Sequence, residues 1–272
     1  MKKRRPLDKV KYILRKIILA LLALAVVFPL LYMFSSSLFS AKDFNQTRLL
    51  PQTPMWSNYL KALGHRYFAS YIINSVGTAV LAAVVRTVVV VLAAFALTHL
   101  RFRGRKLVLG ALVLTLFIPH EALLYQNYRT VASLGLLDTW LGIISTSLFS
   151  AASMLLVMGS FFSLSTEPYD AARIDGASDL RYIASVLVPL SGPVVLTVFI
   201  QTLITVFNNY LWPLLVTNKP RTRTIQVGIT MLGFAESGDT GAQMATMVLI
   251  SIPFLVVLAI TMNKIKKALI RR

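Results

Sequence analysis

The sequence contains no cysteine, which excludes disulfides and thiolate-held metals. Acid is scarce as well. Ten Asp and Glu stand against 28 Lys and Arg in 272 residues, and none of the ten falls at the centre of a long apolar run. Proton- and sodium-coupled carriers usually place carboxylates or broken helices at mid-membrane, so this scarcity weighs against a secondary carrier. No G-x-x-x-x-G-K-[ST] phosphate loop occurs, so the chain should not bind ATP that way. The three histidines, His65, His99 and His120, lie in different regions at no metal-like spacing. No catalytic constellation is present, which weighs against an intramembrane enzyme. Uphill transport by such a chain would draw its energy from a partner.

What is present is apolar. Hydrophobic residues make up 56% of the chain and charged ones 14%, with a mean hydropathy of +0.70. That balance points to a bilayer as the solvent. The formal net charge is +18, but many basic residues flank apolar runs, so anionic lipid headgroups are the simpler partner and no nucleic-acid role is expected. Six runs are long enough, or nearly so, to cross a hydrocarbon core of ~30 Å, which takes ~20 helical residues. They are roughly Ile17–Phe34, Ser75–Leu97, Leu107–Tyr125 (broken by Pro119), Trp140–Phe162, Val186–Phe207 (carrying Pro189 and Pro193) and Ala242–Met262 (carrying Pro253). Backbone groups in lipid need internal partners, so these are expected as helices. The alternating segments of a barrel are absent.

Lys2, Lys3, Arg4 and Arg5 resemble the basic start of a signal peptide. The first run is longer than a usual signal core, and no clear small-x-small cleavage site follows it, so it reads as a retained span. With the N-terminus inside, nineteen Lys and Arg fall on the inner side and eight on the outer, with Arg86 left inside a span. The positive-inside rule then places both termini in the cytoplasm. Gln126 opens a polar outer connection running to Thr139, and 208–241 forms another.

Four of the ten acids lie in one inner loop, Ser165 to Arg181. Ser165 or Thr166 can cap a short helix, with Glu167 near its positive end and Pro168 in its first turn. Tyr169, Ala172 and Ile174 give the helix apolar contact surface. Gly176 can stop it in a left-handed conformation, and Ser178 can cap the next helix. On these grounds alone the loop is either a solvated connector or a docking element.

The string Pro168-Tyr169-Asp170-Ala171-Ala172-Arg173-Ile174-Asp175-Gly176-Ala177, followed by Val188-Pro189-Leu190 and Pro193, resembles the EAA loop of ABC importer permeases. Asp170 stands where that family usually has glutamate. Arg101 to Lys106, Leu134 to Thr139, Asn208 to Thr217 and Arg223 to Gly228 resemble further segments of the carbohydrate-uptake branch, in particular the shorter permease of the maltose-transporter type. The resemblance implies an all-α membrane protein with the type I ABC importer permease fold, six transmembrane helices and both termini cytoplasmic. It implies a single permease domain over 1–272, with cytoplasmic segments at 1–16, 165–185 and 263–272. The loop would be a coupling helix, with Tyr169, Asp170, Ala171, Ala172, Arg173, Asp175, Gly176 and Ala177 meeting the ATPase. The implied partners are a second, related permease, two ATPase subunits carrying ATP and Mg, an extracytoplasmic solute-binding protein and membrane lipids. The chain itself would hold no cofactor and no metal. The setting would be a bacterial plasma membrane, and the cargo a sugar, oligosaccharide or related polyol, or alternatively an anionic saccharide or polyol phosphate.

Five residues are candidates for the translocation pathway. The amides of Asn208 and Asn209 can donate and accept toward hydroxyls, and Tyr210 and Trp212 can stack on a sugar ring. Both aromatics also suit the headgroup level as anchors. Arg86 lies about ten residues from either end of its run, or ~15 Å of helix rise. A charge there is expensive and should face a cavity or a partner. It either attracts an anionic cargo or bonds within the protein.

Overall fold

The computed structural model describes residues 6–46, 48–165, 167–231 and 239–252. All regular structure among them is helical. In chain order the helices are α1 (Pro6–Ser36), α2 (Ala41–Asn45), α3 (Ser57–Gly64), α4 (Phe68–His99), α5 (Arg105–Leu114), α6 (Leu124–Ser133), α7 (Trp140–Ile144) and α8 (Ala151–Phe162). They continue as α9 (Glu167–Ile174), α10 (Asp179–Tyr182), α11 (Val188–Leu190), α12 (Gly192–Phe207), α13 (Leu211–Val216), α14 (Ile225–Met231) and α15 (Thr240–Ile252).

Among the described residues two helices are long and apolar enough to cross a bilayer unbroken: Leu14–Ser36 within α1, and α4. Three further stretches are bent pairs: Arg105–Phe117 with His120–Ser133 at 97°, Trp140–Ser147 with Ala151–Phe162 at 58°, and Asp179–Leu190 with Gly192–Phe207 at 89°. Taking each pair as one span gives five. The sixth expected run begins in α15. Its second half with Pro253, the tail 263–272, the basic residues at 2–5 and the cap candidate Thr166 lie outside the described residues.

Each bend has a local cause. Pro119 lacks an N–H and pushes Ile118 into extended backbone, with φ −93° and ψ 115°. Pro193 sits in the first turn of α12, and Ser191 ends the preceding helix. Ile183–Leu187 forms a π-helical turn just ahead of Pro189, a rearrangement that accommodates the missing proline donor. The middle break holds neither proline nor glycine. There the serines redirect the backbone: Ser145 Oγ donates to Gly142 O at 2.8 Å, and Ser150 Oγ accepts from Ser153 N at 3.3 Å to start α8 afresh. One expectation is corrected. The polar connection from Gln126 is helical as far as Ser133, in α6. Its apolar face, Leu124, Tyr128 and Val131, packs with Ile143, Trp212 and Val216.

The chain divides into two compact units, residues 1–68 with 229–272, and residues 69–228. In the first, buried Asp43 closes a capping box with Ser40 at the start of α2. Asn58 Nδ2 donates to Ser37 O and Phe39 O, both at 2.9 Å, and Lys61 pairs with Asp239 at 2.7 Å. In the second unit the core runs from Val90, Ala94 and Phe95 of α4 to Met154, Val157 and Met158 of α8, Leu187, and Val198 of α12.

Candidate coupling site and translocation residues

The loop 165–181 folds as two helices around a glycine. Helix α9 ends in a Schellman motif: Ala177 N donates to Ala172 O at 2.9 Å and Gly176 N donates to Arg173 O at 3.2 Å. Gly176 takes φ +74°, with open space where a Cβ would stand. A non-glycine residue there meets backbone strain of about 1–3 kcal/mol, while its Cβ meets no neighbour. Ser178 Oγ accepts from Arg181 N at 3.3 Å and starts α10, which leads into the bent span ending at Phe207.

The two faces of α9 differ. Tyr169 and Ala172 turn inward against the core of the second unit. Asp170, Ala171, Arg173, Asp175 and Gly176 are exposed. Ile174 is 85% exposed and nearby Leu180 is 68% exposed. The sequence grouped Ile174 with Tyr169 and Ala172 as one contact surface. The helix separates them: Tyr169 and Ala172 face the core, and Ile174 is left uncovered.

The inward face meets an aromatic cluster built from the ends of three spans. His99 stacks on Phe95 at 4.9 Å and meets Tyr169 edge-on at 5.1 Å. Tyr169 meets Tyr182 at 5.0 Å, and Phe161 lies 6.2 Å from His99. Such pairs add about 0.5–1.5 kcal/mol each beyond area burial. Tyr169 Oη donates to Asp179 Oδ1 at 3.1 Å, and Arg173 Nη1 reaches the same oxygen at 3.4 Å. Burial pushes the Tyr169 phenol up from its ordinary pKa, and the neighbouring Asp179 carboxylate adds to this. The phenol therefore stays protonated as a donor. Helix α9 is thus fastened to the His99 end of α4, the Phe161 end of α8 and Tyr182 of α10.

At the other end of this unit Asp138 ties two connections together. It takes φ +60°, a conformation that Asp tolerates better than most residues. Its Oδ1 accepts from Asn218 N at 2.7 Å, Lys219 N at 2.9 Å and Thr222 Oγ1 at 2.8 Å. Burial alone would raise its pKa. The Lys219 N–H, the Thr222 hydroxyl and the Asn218 N–H outweigh that and hold the carboxyl below its ordinary value. A lowered folded-state pKa contributes stability at neutral pH that is lost as pH falls below the carboxylate range. Asp138→Ala should cost about 1–3 kcal/mol and make 217–223 more sensitive to protease. Asp138→Asn keeps an acceptor and should lose far less. Equal protease resistance of the alanine variant and the parent would contradict this.

The pathway candidates divide. Trp212 is 3% exposed, packed with Val131, Ile143 and Val216, and its Nε1 donates to Gly142 O at 3.1 Å. In this conformation it offers no face to a sugar or to a headgroup. Gly142 separately permits the close approach of Leu136 O, with which a Cβ there would collide. Tyr210 is 39% exposed. Asn208 is exposed, with its Oδ1 3.5 Å from Gln226 Nε2, and Asn209 is half-buried. Arg86 is half-buried and donates from Nε to Ser147 O at 2.6 Å, at the break in the Trp140–Phe162 stretch. Among the described residues no group of three or more His, Asp or Glu is placed to hold a metal ion.

The sequence model described as "binding-protein-dependent transport system inner membrane component" matches residues 90–272. The chain belongs to this family. The permease is 31% identical over 256 residues to the sn-glycerol-3-phosphate transport system permease protein of Rhizobium meliloti, covering 90% of this chain and 91% of the relative. The corresponding protein of Pectobacterium atrosepticum is 32% identical over 246 residues, covering 86% and 87%. Among solved structures, a bacterial ABC transporter involved in the import of the acidic polysaccharide alginate aligns with TM-score 0.83 and 25% identity, over 97% of this chain and 99% of that one. The permease therefore has the type I ABC importer fold and is an inner-membrane, non-catalytic subunit of an importer.

Sequence reasoning passed over several residues that the permease uses. His99 read only as one of three histidines at no metal-like spacing, yet its ring is the centre of the aromatic cluster. Phe95 and Phe161 looked like ordinary apolar residues of their runs. A spacing signal did exist: Phe95 and His99 are four apart on one helix face, directly before the basic turn.

Proposed function

We propose that the permease crosses the membrane six times with both termini in the cytoplasm and forms half of an import pathway for a negatively charged saccharide or polyol phosphate. A second permease completes the pathway. Two ATPase subunits bind below and hold the ATP and Mg, and an extracytoplasmic solute-binding protein delivers cargo from above. The coupling surface is the exposed side of Tyr169 to Ala177, joined by Ile174.

The observation that carries this reading is the two-sidedness of α9. Its inner face is fastened to three span ends, while its outer face leaves Ile174 uncovered. Force applied from below reaches the spans as rigid-body motion. Support for the cargo comes from relatives named for sn-glycerol 3-phosphate and from the alginate importer, both of which handle anions. The test is reconstitution with the partner subunits in liposomes. ATP-dependent uptake of sn-glycerol 3-phosphate or a uronic-acid trisaccharide that also requires the binding protein is the expected result. Uptake driven by a proton or sodium gradient without the ATPases would sink the reading.

A further inference from the structure

We infer that Arg86 holds the anionic group of the cargo part-way through the membrane. The inference deepens the proposed function and rests on its anionic cargo. Arg86 lies thirteen residues before the His99 end of α4, ~20 Å along the axis. A charged side chain at such depth must face protein or a water-filled path. Among the described residues its single hydrogen bond is from Nε to Ser147 O, and no carboxylate lies within ion-pair distance. The two amino nitrogens have no partner and are not sealed from their surroundings.

This division of labour fixes which edge of the guanidinium can act. The Nε edge is spent on Ser147, which aims the group. The end carrying both amino nitrogens is left, and that end matches two oxygens of a phosphate or carboxylate. The anchoring carbonyl belongs to the broken stretch whose second half, α8, carries Phe161 of the aromatic cluster in its last turn. A cargo group seated on Arg86 would thus sit at one end of α8, with the coupling contacts at the other.

The competing explanations are a structural tie to Ser147 and an ion pair with a carboxylate of the second permease. The complete transporter, with Arg86→Gln and Arg86→Lys variants, separates them. The probes are sn-glycerol 3-phosphate, a uronic-acid trisaccharide and maltotriose. Glutamine can still donate to Ser147 O but carries no charge, whereas lysine keeps the charge. The expected result is uptake of an anionic probe that falls about tenfold or more in Arg86→Gln and stays within about threefold in Arg86→Lys, with the complex intact. Normal anion uptake by Arg86→Gln overturns the inference. So does an equal fall in both variants, or loss of the second permease from the purified Arg86→Gln complex. A parent transporter that moves only maltotriose, or no anionic probe, refutes the cargo reading and the inference with it. A parent that moves the anion while Arg86→Gln does so equally well refutes the inference alone.

Discussion

Aspartate in place of Ile174 is expected to abolish ATP-dependent uptake and to strip the ATPase subunits from the purified transporter. Ile174 is 85% exposed and Leu180, a few residues on, is 68% exposed, so together they offer an apolar spot on an otherwise charged loop. Covering an isoleucine side chain in a partner's cleft is worth about 1.5–3 kcal/mol. Burying an unpaired carboxylate there instead costs several more. A combined loss of about 5 kcal/mol is more than a thousandfold in affinity. Ile174 touches little within its own chain, so the melting temperature of the purified permease should stay the same. Co-purification from membranes checks the result, and an intact complex with ordinary uptake would remove Ile174 from the docking surface.

Truncating Tyr182 to alanine should give a different failure: the ATPases stay bound and hydrolyse ATP, but little solute moves. Tyr182 is 2% exposed, with ring contacts to Tyr169 at 5.0 Å, His99 at 5.9 Å and Phe95 at 6.4 Å. Removing a large buried ring costs about 3–5 kcal/mol and leaves slack between α9 and the span ends. The exposed side of α9 is untouched, so docking survives. The measurement is solute imported per ATP hydrolysed, expected to fall about tenfold or more for a loss of that size. Tyr182→Phe keeps the ring and should couple almost normally. Unchanged stoichiometry in the alanine variant would show that the cluster packs the core without transmitting force.

The two variants bear on how much of this molecule was readable beforehand. Apolar runs and prolines are local properties, so the helical runs and the break at Pro119 could be placed from the sequence, and Pro193 was noted in the run that bends there. The bend between Ser147 and Ala151 could not. It carries no helix-breaking residue, and it arises from serine hydroxyls that compete with the backbone. Helix α6 was hidden because Gln126, Arg129 and Thr130 make its exposed side polar, while its apolar face finds partners near residue 212. Asp138 was invisible for a related reason, since its hydrogen-bond donors lie some eighty positions away. The loop from Ser165 was the clearest signal, because caps, glycine and short helices follow from neighbours in sequence. Even there, only the fold showed that Ile174 and Tyr169 look in opposite directions. Trp212 shows how composition misleads: an aromatic beside a polar segment reads as an anchor until Gly142 O takes its N–H.

The break ahead of α8 also bears on timing. Both halves of that stretch already finish their own hydrogen bonds, with Ser150 capping the second half and Arg86 taking up Ser147 O at the end of the first. Turning one half against the other therefore ruptures no peptide ladder. The stretch behaves as a joint rather than a bent rod. The half from Trp140 to Ser147 can turn without unwinding the half from Ala151 to Phe162. The Arg86–Ser147 contact ties the first half to α4, while Phe161 ties the second to the aromatic cluster.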